Sequence, residues 1–204
     1  MIHPLEGYTL LLASKSPRRR QLLSQIGLPL RIVDVDVVEI TPQNTPVDLI
    51  AQNLADIKSK AYPSSKIGRN EVLVTADTVV VLDGKVLGKP HDPDEALAML
   101  RALSGHCHRV YTGVSLCTSE KQALFTECTE VCFRQVSDEI IRRYVNEGQC
   151  LDKAGSYGVQ DWFGMVAVER IDGCYYNVMG LPVQRLVEEM RKRGLMYNGR
   201  CEKI

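Results

Sequence analysis

The chain has 204 residues, 45% of them hydrophobic and 25% charged, enough for one large domain with a real core. Its 25 basic and 25 acidic residues cancel to a formal net charge of zero, which excludes a general bias toward nucleic acid or membrane surfaces and makes any anion site local. Seven scattered cysteines with no C-x-x-C spacing argue against a zinc site and against a disulfide framework, so all seven are expected as reduced thiols, several filling the core, in a cytoplasmic protein.

In chain order, the start "MIHPLEGYTLLLAS" lacks the basic region and long apolar run of a secretory signal, and no later run approaches a membrane span. Residues 8–13 are apolar and strand-like. Ser16 then reads as a helix N-cap with Pro17 at the first helical position, and the helix runs to a glycine stop at Gly27. "LRIVDVDVVEI" alternates, with Ile32, Val35 and Val37 among charged neighbours, which predicts a strand ending near Glu39. Helical spacing returns from 47 to about 62 through Leu49, Ile50, Leu54 and Ile57.

"EVLVTADTVVVLDGKVLGKP" predicts two short apolar strands broken at Asp77-Thr78, followed by a turn at Asp83-Gly84. Asp92 opens a helix, with Pro93 in its first turn and Glu95 completing a D-x-x-E box. Strands at 109–117 and 125–134 follow, then a helix from Ser137 through Val145. "CLDKAGSYGVQDWFGM" reads as irregular, and "VAVERIDGCYYNV" as a hairpin turning at Asp172-Gly173. Pro182 starts a last amphipathic helix. Parallel crossovers and hairpins together imply an α/β fold with a mixed sheet flanked by helices, residues 1–194 forming one domain and 195–204 a tail.

Three arginines, Arg18, Arg19 and Arg20, stand at the start of the first helix, against its dipole. A bound phosphate would reverse that objection, because helix N–H groups, arginine forks and the hydroxyls of Ser14 and Ser16 would share one anion. The plainer alternative is a solvated basic turn paired with acids elsewhere. Neighbours on a helix diverge by about 100°, so one arginine, Arg20 by choice, should face solvent. Asp77 and Glu39 each stand where an apolar strand is expected to end, and either could hold Mg²⁺, deprotonate water, or simply cap a turn. Lys58 and Lys89 are not distinguished by spacing. "DKAGSYGVQ" offers close backbone approach, one aromatic ring, and Gln160 to read a base edge, as would an ordinary surface loop. The histidines show no metal spacing, and there is no P-loop or dinucleotide fingerprint.

Taken in order, "LLASKSPRRRQLL", "LADIKSKA", "TADTVV", "GKP", "LSG", "YTGV", "LDKAGSYGVQ" and "NVMGLP" closely resemble the Maf family of nucleoside triphosphate pyrophosphatases, over nearly the whole chain. The resemblance implies an elongated mixed α/β fold with two lobes about a central cleft, similar to inosine triphosphatases, and often a homodimer. It implies hydrolysis between the α and β phosphates with a divalent metal, Mg²⁺ or Mn²⁺. Residue by residue, the family's triphosphate-binding serine and arginines fall on Ser14, Arg18 and Arg19, its acidic residue before the second helix on Glu39, its helix lysine on Lys58, its Asp-Thr pair on Asp77 and Thr78, and its post-hairpin lysine on Lys89. As carboxylates beside a phosphate site, Glu39 and Asp77 are the expected metal ligands. Catalysis falls on Asp77, Lys58 and Lys89. The loop form K-A-G-[AS]-Y-G-[IV]-Q resembles the branch acting on dTTP and UTP, which assigns base discrimination to Arg18, Thr78 and Gln160, with Tyr157 a secondary candidate.

Where family members often read A-R-E-K-A, this chain has Asp56-Ile57 before Lys58, and a slip of two would confuse Lys60 with the family lysine. Asp77 is expected as general base or metal ligand. The competing readings are a division-related regulator that binds nucleotide or nucleic acid without cleaving it, and a monophosphate phosphatase. Few aromatics disfavour an extended nucleic-acid surface, and the number of cations favours a longer polyphosphate.

Overall fold

The structure is a computed structural model that describes residues 8–38, 40 and 44–195. Its frame is a seven-stranded mixed sheet of β1 (Thr9–Leu12), β2 (Leu30–Ile32), β3 (Glu71–Leu82), β4 (Lys85–Leu87), β5 (Cys107–Cys117), β6 (Gln122–Phe133) and β7 (Val168–Asp172), in the order β2-β1-β3-β5-β6-β7 with β4 on β3. β1 runs parallel to both β2 and β3, and the remaining pairs are antiparallel. The helices are α1 (Pro17–Gln25), α2 (Val47–Lys60), α3 (Pro93–Leu103), α4 (Asp138–Asn146), α5 (Trp162–Ala167), α6 (Tyr175–Val178) and α7 (Val183–Lys192).

The expected helix starts hold. Ser16, Asp92 and Ser137 each accept a backbone N–H through the side chain, at Arg19, Glu95 and Ile140. Alternation along the strands divides the core. Leu10, Leu12, Val72, Val74, Ala76 and Val80 join the main core with residues of α1, α3, α4, α5 and α7, such as Leu23, Leu100, Tyr144, Phe163 and Leu186. On the opposite face Val79, Val81 and Tyr111 pack under Ala51, Val47, Ile50 and Leu54 of α2. The close approach of α2 depends on Gly113, where an added Cβ would lie 2.2 Å from the Gln52 amide nitrogen. Buried Thr75 fastens the same helix, its hydroxyl donating to the Ala55 carbonyl at 2.6 Å.

One gap in the sheet shapes everything around it. β5 follows β3 without interruption from Leu73 to Val81, while on the other edge β1 pairs only up to Val74 and β4 begins at Val80. Residues 75–79 therefore have no strand on that edge among the described residues.

Four expectations change. β3 is one continuous strand through Asp77 and Thr78, because β5 supplies an unbroken ladder, so Asp77 lies in mid-strand rather than at a strand end. β2 stops at Ile32, since β1 ends at Leu12 and offers no further partner. The Val33 amide still bonds the Leu12 carbonyl, and Val33 and Val35 pack beside Leu11 and Leu73 as extended chain, which accounts for their alternation. The second arm of the expected hairpin after Gly173 is helix α6: the Cys174 backbone N–H donates to Thr129 Oγ1, and Asn177 Nδ2 to the Val110 carbonyl and Thr129 Oγ1, drawing the chain onto the sheet face. The Gly-rich stretch also contains a helical turn and α5.

The cysteines need a further correction. Cys107 and Cys132 stand opposite one another in the β5–β6 register and form a disulfide, so not all seven are reduced. Strand register over a separation of 25 residues brings them together, which spacing alone does not reveal. Cys150 is a buried free thiol, as expected of a core filler.

Candidate active site

The edge gap of β3 opens into a cleft of about 950 Å³, within the size range of small-molecule sites. Its wall draws on the β1–α1 turn, the chain after β2, α2, mid-β3, the segment after β4, the Lys153–Gln160 region and Gly180. Six Lys and Arg residues line it against four aspartates, so among the described residues the cleft is net cationic in a chain of zero net charge.

Because successive strand residues point to opposite faces, Asp77 and Thr78 project to opposite sides of the sheet, and the cleft wraps the bare edge between them. On the α2 side Lys58 Nζ donates to Asp77 Oδ1 at 2.5 Å, both side chains being mostly buried. This settles the register: Lys58 faces the cleft, while exposed Lys60 pairs with Asp56 of its own helix.

On the other side lies Arg19, only 9% exposed, which for a permanent cation demands fixed partners. Its Nε donates to the Gly180 carbonyl at 2.8 Å, Nη1 to Ser14 Oγ at 3.3 Å, and Nη2 to Thr78 Oγ1 at 3.0 Å. Gly180 holds φ +112, a conformation glycine tolerates and other residues rarely adopt.

The three arginines diverge as expected. Arg20 is exposed, Arg19 is buried in the wall, and half-buried Arg18 reaches across the cleft, Nη1 donating to Asp152 Oδ2 at 3.1 Å. Asp152 had no role in the sequence reading, although it begins the D-K-A-G loop. Burial would raise its carboxyl, but the hydrogen bond and charge of Lys153, then those of Arg18, hold it below the usual carboxylate range.

Lys89 is exposed on the cleft wall after β4. Gln160 lines the cleft, its Nε2 donating to Asp161 Oδ1 at 2.9 Å, while its Oε1 is buried with no hydrogen-bond partner among the described residues. Tyr157 turns its hydroxyl into the core, 2.7 Å from His108 Nε2, and burial pushes its phenol up. Burial pushes the His108 imidazole down to about 4. Glu39 lies outside the described residues.

Ser14, Arg18, Arg19, Lys58, Asp77, Thr78, Lys89 and Gln160 thus converge on one cleft. Such an arrangement gathers cations along one wall and keeps one carboxylate, Asp77, against a lysine beside it. The fold and site define an α/β protein with a cationic cleft at a bare strand edge and no P-loop motif, a charge pattern suited to anions. The whole-chain comparison is more specific: the model of the Maf-like protein family matches residues 9–193, and this chain belongs to the Maf family. It is 46% identical to the dTTP/UTP pyrophosphatase of Phocaeicola vulgatus over 193 residues, covering 94% of this chain and 100% of that one. The protein of the same name from Bacteroides thetaiotaomicron is also 46% identical with the same coverage. That of Porphyromonas gingivalis is 42% identical over 95% of this chain and 98% of its own.

Proposed function

We propose that this chain is a nucleoside triphosphate pyrophosphatase that hydrolyses dTTP and UTP to the monophosphate and pyrophosphate. The observation that carries the reading is the Lys58–Asp77 pair at the bare edge of β3, facing the same cleft as Arg18 and Arg19, in a member of the Maf family. The names of the relatives supply the substrate class.

In this reading the triphosphate lies along the cationic wall. Ser14, Arg18, Arg19 and Lys89 bind its oxygens, and the guanidinium groups offset the charge that develops on the departing pyrophosphate. Asp77 takes the proton of the water that attacks the α-phosphorus, with Lys58 orienting the carboxylate. Gln160, on the cleft wall, meets the pyrimidine, since a carboxamide can both donate to and accept from the edge that uracil and thymine share.

Mg²⁺ or Mn²⁺ fits the donor set, because such ions need only one or two carboxylates together with substrate phosphates, and Asp77 supplies a hard oxygen in the cleft. When bound, the ion would neutralise phosphate charge; Asp77, with Glu39, would hold it. A cytoplasmic location is part of this reading on the strength of the nucleotide substrate alone, since the Cys107–Cys132 disulfide removes the support of seven reduced thiols. No helix among the described residues is long and apolar enough to cross a membrane. Binding without hydrolysis gains no support from a carboxylate kept among the cations.

The test is product analysis with Mg²⁺ across dTTP, UTP, CTP, ATP and GTP. Pyrophosphate release from dTTP and UTP is expected. Orthophosphate as the first product, or preference for a guanine nucleotide, would overturn the assignment.

A further inference from the structure

Arg19 is held partly through Thr78, and Thr78 does not stand alone. Its Oγ1 lies 3.0 Å from Thr112 Oγ1, across the β3–β5 register that pairs the two residues. Thr112 is fully buried and donates its own hydroxyl to the Asn177 backbone carbonyl at 3.0 Å. A hydroxyl carries one proton, so Thr112, having given it to Asn177, can only accept from Thr78. Thr78 in turn accepts from Arg19 Nη2. The chain has one sense throughout: guanidinium to Thr78, Thr78 to Thr112, Thr112 to the Asn177 carbonyl. Bonds aligned in one direction polarise one another.

The far end is anchored as firmly. Asn177 is fully buried, and its side-chain amide donates to the Val110 carbonyl on β5 and to Thr129 Oγ1 on β6, each at 3.0 Å. Three residues on, the Gly180 carbonyl accepts Arg19 Nε. One short segment, 177–180, therefore fixes Arg19 from two sides.

We infer that Thr112 and Asn177 are positioning residues for Arg19, acting through Thr78 and Gly180 to set the guanidinium against the substrate's phosphates. Two consequences follow. Thr78 has no proton to offer a phosphate oxygen and meets substrate only as an acceptor. The arginine's placement is decided by a segment about 160 residues downstream.

The inference rests on the proposed pyrophosphatase reading, and its test separates the two. kcat and KM for dTTP, together with calorimetric binding of inorganic pyrophosphate, are measured for wild type, Thr112→Val, Thr112→Ser, Thr78→Val and the Thr112→Val/Thr78→Val double variant. Loss of one aligned hydrogen bond should lower kcat/KM about tenfold in Thr112→Val, mainly in kcat, with Thr112→Ser within about twofold of wild type. In the Thr78→Val background the Thr112→Val change should cost nothing further, since the link is already cut. Equal losses in both backgrounds, or no recovery with serine, would overturn the inference. Should the valine variant fail to fold, Thr112→Ala takes its place in the cycle. If wild type releases no pyrophosphate, the pyrophosphatase reading falls, and the same non-additivity is then read in pyrophosphate affinity.

Discussion

Lys58 Nζ stands 2.5 Å from Asp77 Oδ1, and the residue opposite Asp77 in the β3–β5 register is Gly113, against which the backbone of α2 is seated. A helix lysine reaches a strand aspartate because the neighbouring strand has no side chain in the way. The Lys58–Asp77 pairing and the glycine are one feature of the packing.

Gly113→Ala tests this directly. With a Cβ 2.2 Å from the Gln52 nitrogen, α2 must move away from the sheet. Overpacking of this kind costs about 1–3 kcal/mol, which for a chain of this size lowers Tm by several degrees. Turnover of dTTP should fall with it, because Lys58 is carried off. Unchanged kcat and Tm in a calorimetric and kinetic comparison would refute the dependence.

Asp77→Asn keeps the shape of the side chain and removes its charge. Pyrophosphate release from dTTP is expected to drop by about 10²–10⁴-fold, the range for a general acid–base group. Circular dichroism and Tm should stay near wild type. A variant with full activity would remove Asp77 from the chemistry.

The arginines should rank by their surroundings. Arg19→Lys loses a fork held at Ser14, Thr78 and Gly180, and kcat/KM is expected to fall about 10²–10³-fold, by analogy with other preorganised donors. Arg18→Lys should lose less, since Arg18 is half-buried and spans to an exposed aspartate. Arg20→Ala should be near neutral. Steady-state kinetics on the three variants gives the order, and a large effect at Arg20 alone would contradict the geometry.

His108 makes stability pH-dependent. Its folded value is about 4 because burial disfavours the imidazolium, whereas the unfolded chain titrates near 6.5. Between these values the unfolded state binds more protons. Stability is therefore full above about pH 6.5 and declines as pH falls toward 4, by about 3 kcal/mol in all. Urea unfolding at pH 7.5, 6 and 5 should show the decline in wild type and a flatter profile in His108→Gln, which has no proton to gain. Parallel profiles would refute the assignment.

Much of the site was legible in the sequence because it is carried by short contiguous blocks. Ser14 to Arg19 is one turn whose cap, proline and cations are set by local chemistry, and helical geometry alone required Arg20 to point elsewhere. Lys58, Thr78 and Lys89 were placed by family resemblance alone, Asp77 and Gln160 by the residue pattern as well, and the structure brings each of them to the same cleft. Asp152, Thr112 and Asn177 stand inside the blocks "LDKAGSYGVQ", "YTGV" and "NVMGLP" but carried no role there, because what they do is contact residues far away in sequence.

By itself the sequence determined the elements that depend on neighbours within a few positions: capped helices, alternating strands, the Asp83-Gly84 turn, and hence a mixed α/β class. Only the tertiary structure decided which strand edge stays bare, where β2 ends, that 175–178 coils, that Cys107 meets Cys132, and which hydroxyl hands its proton to which. The physical reason is range. Periodicity and capping are energies of adjacent residues, whereas register and hydrogen-bond direction are properties of pairs tens of residues apart, defined only once the sheet has closed around them.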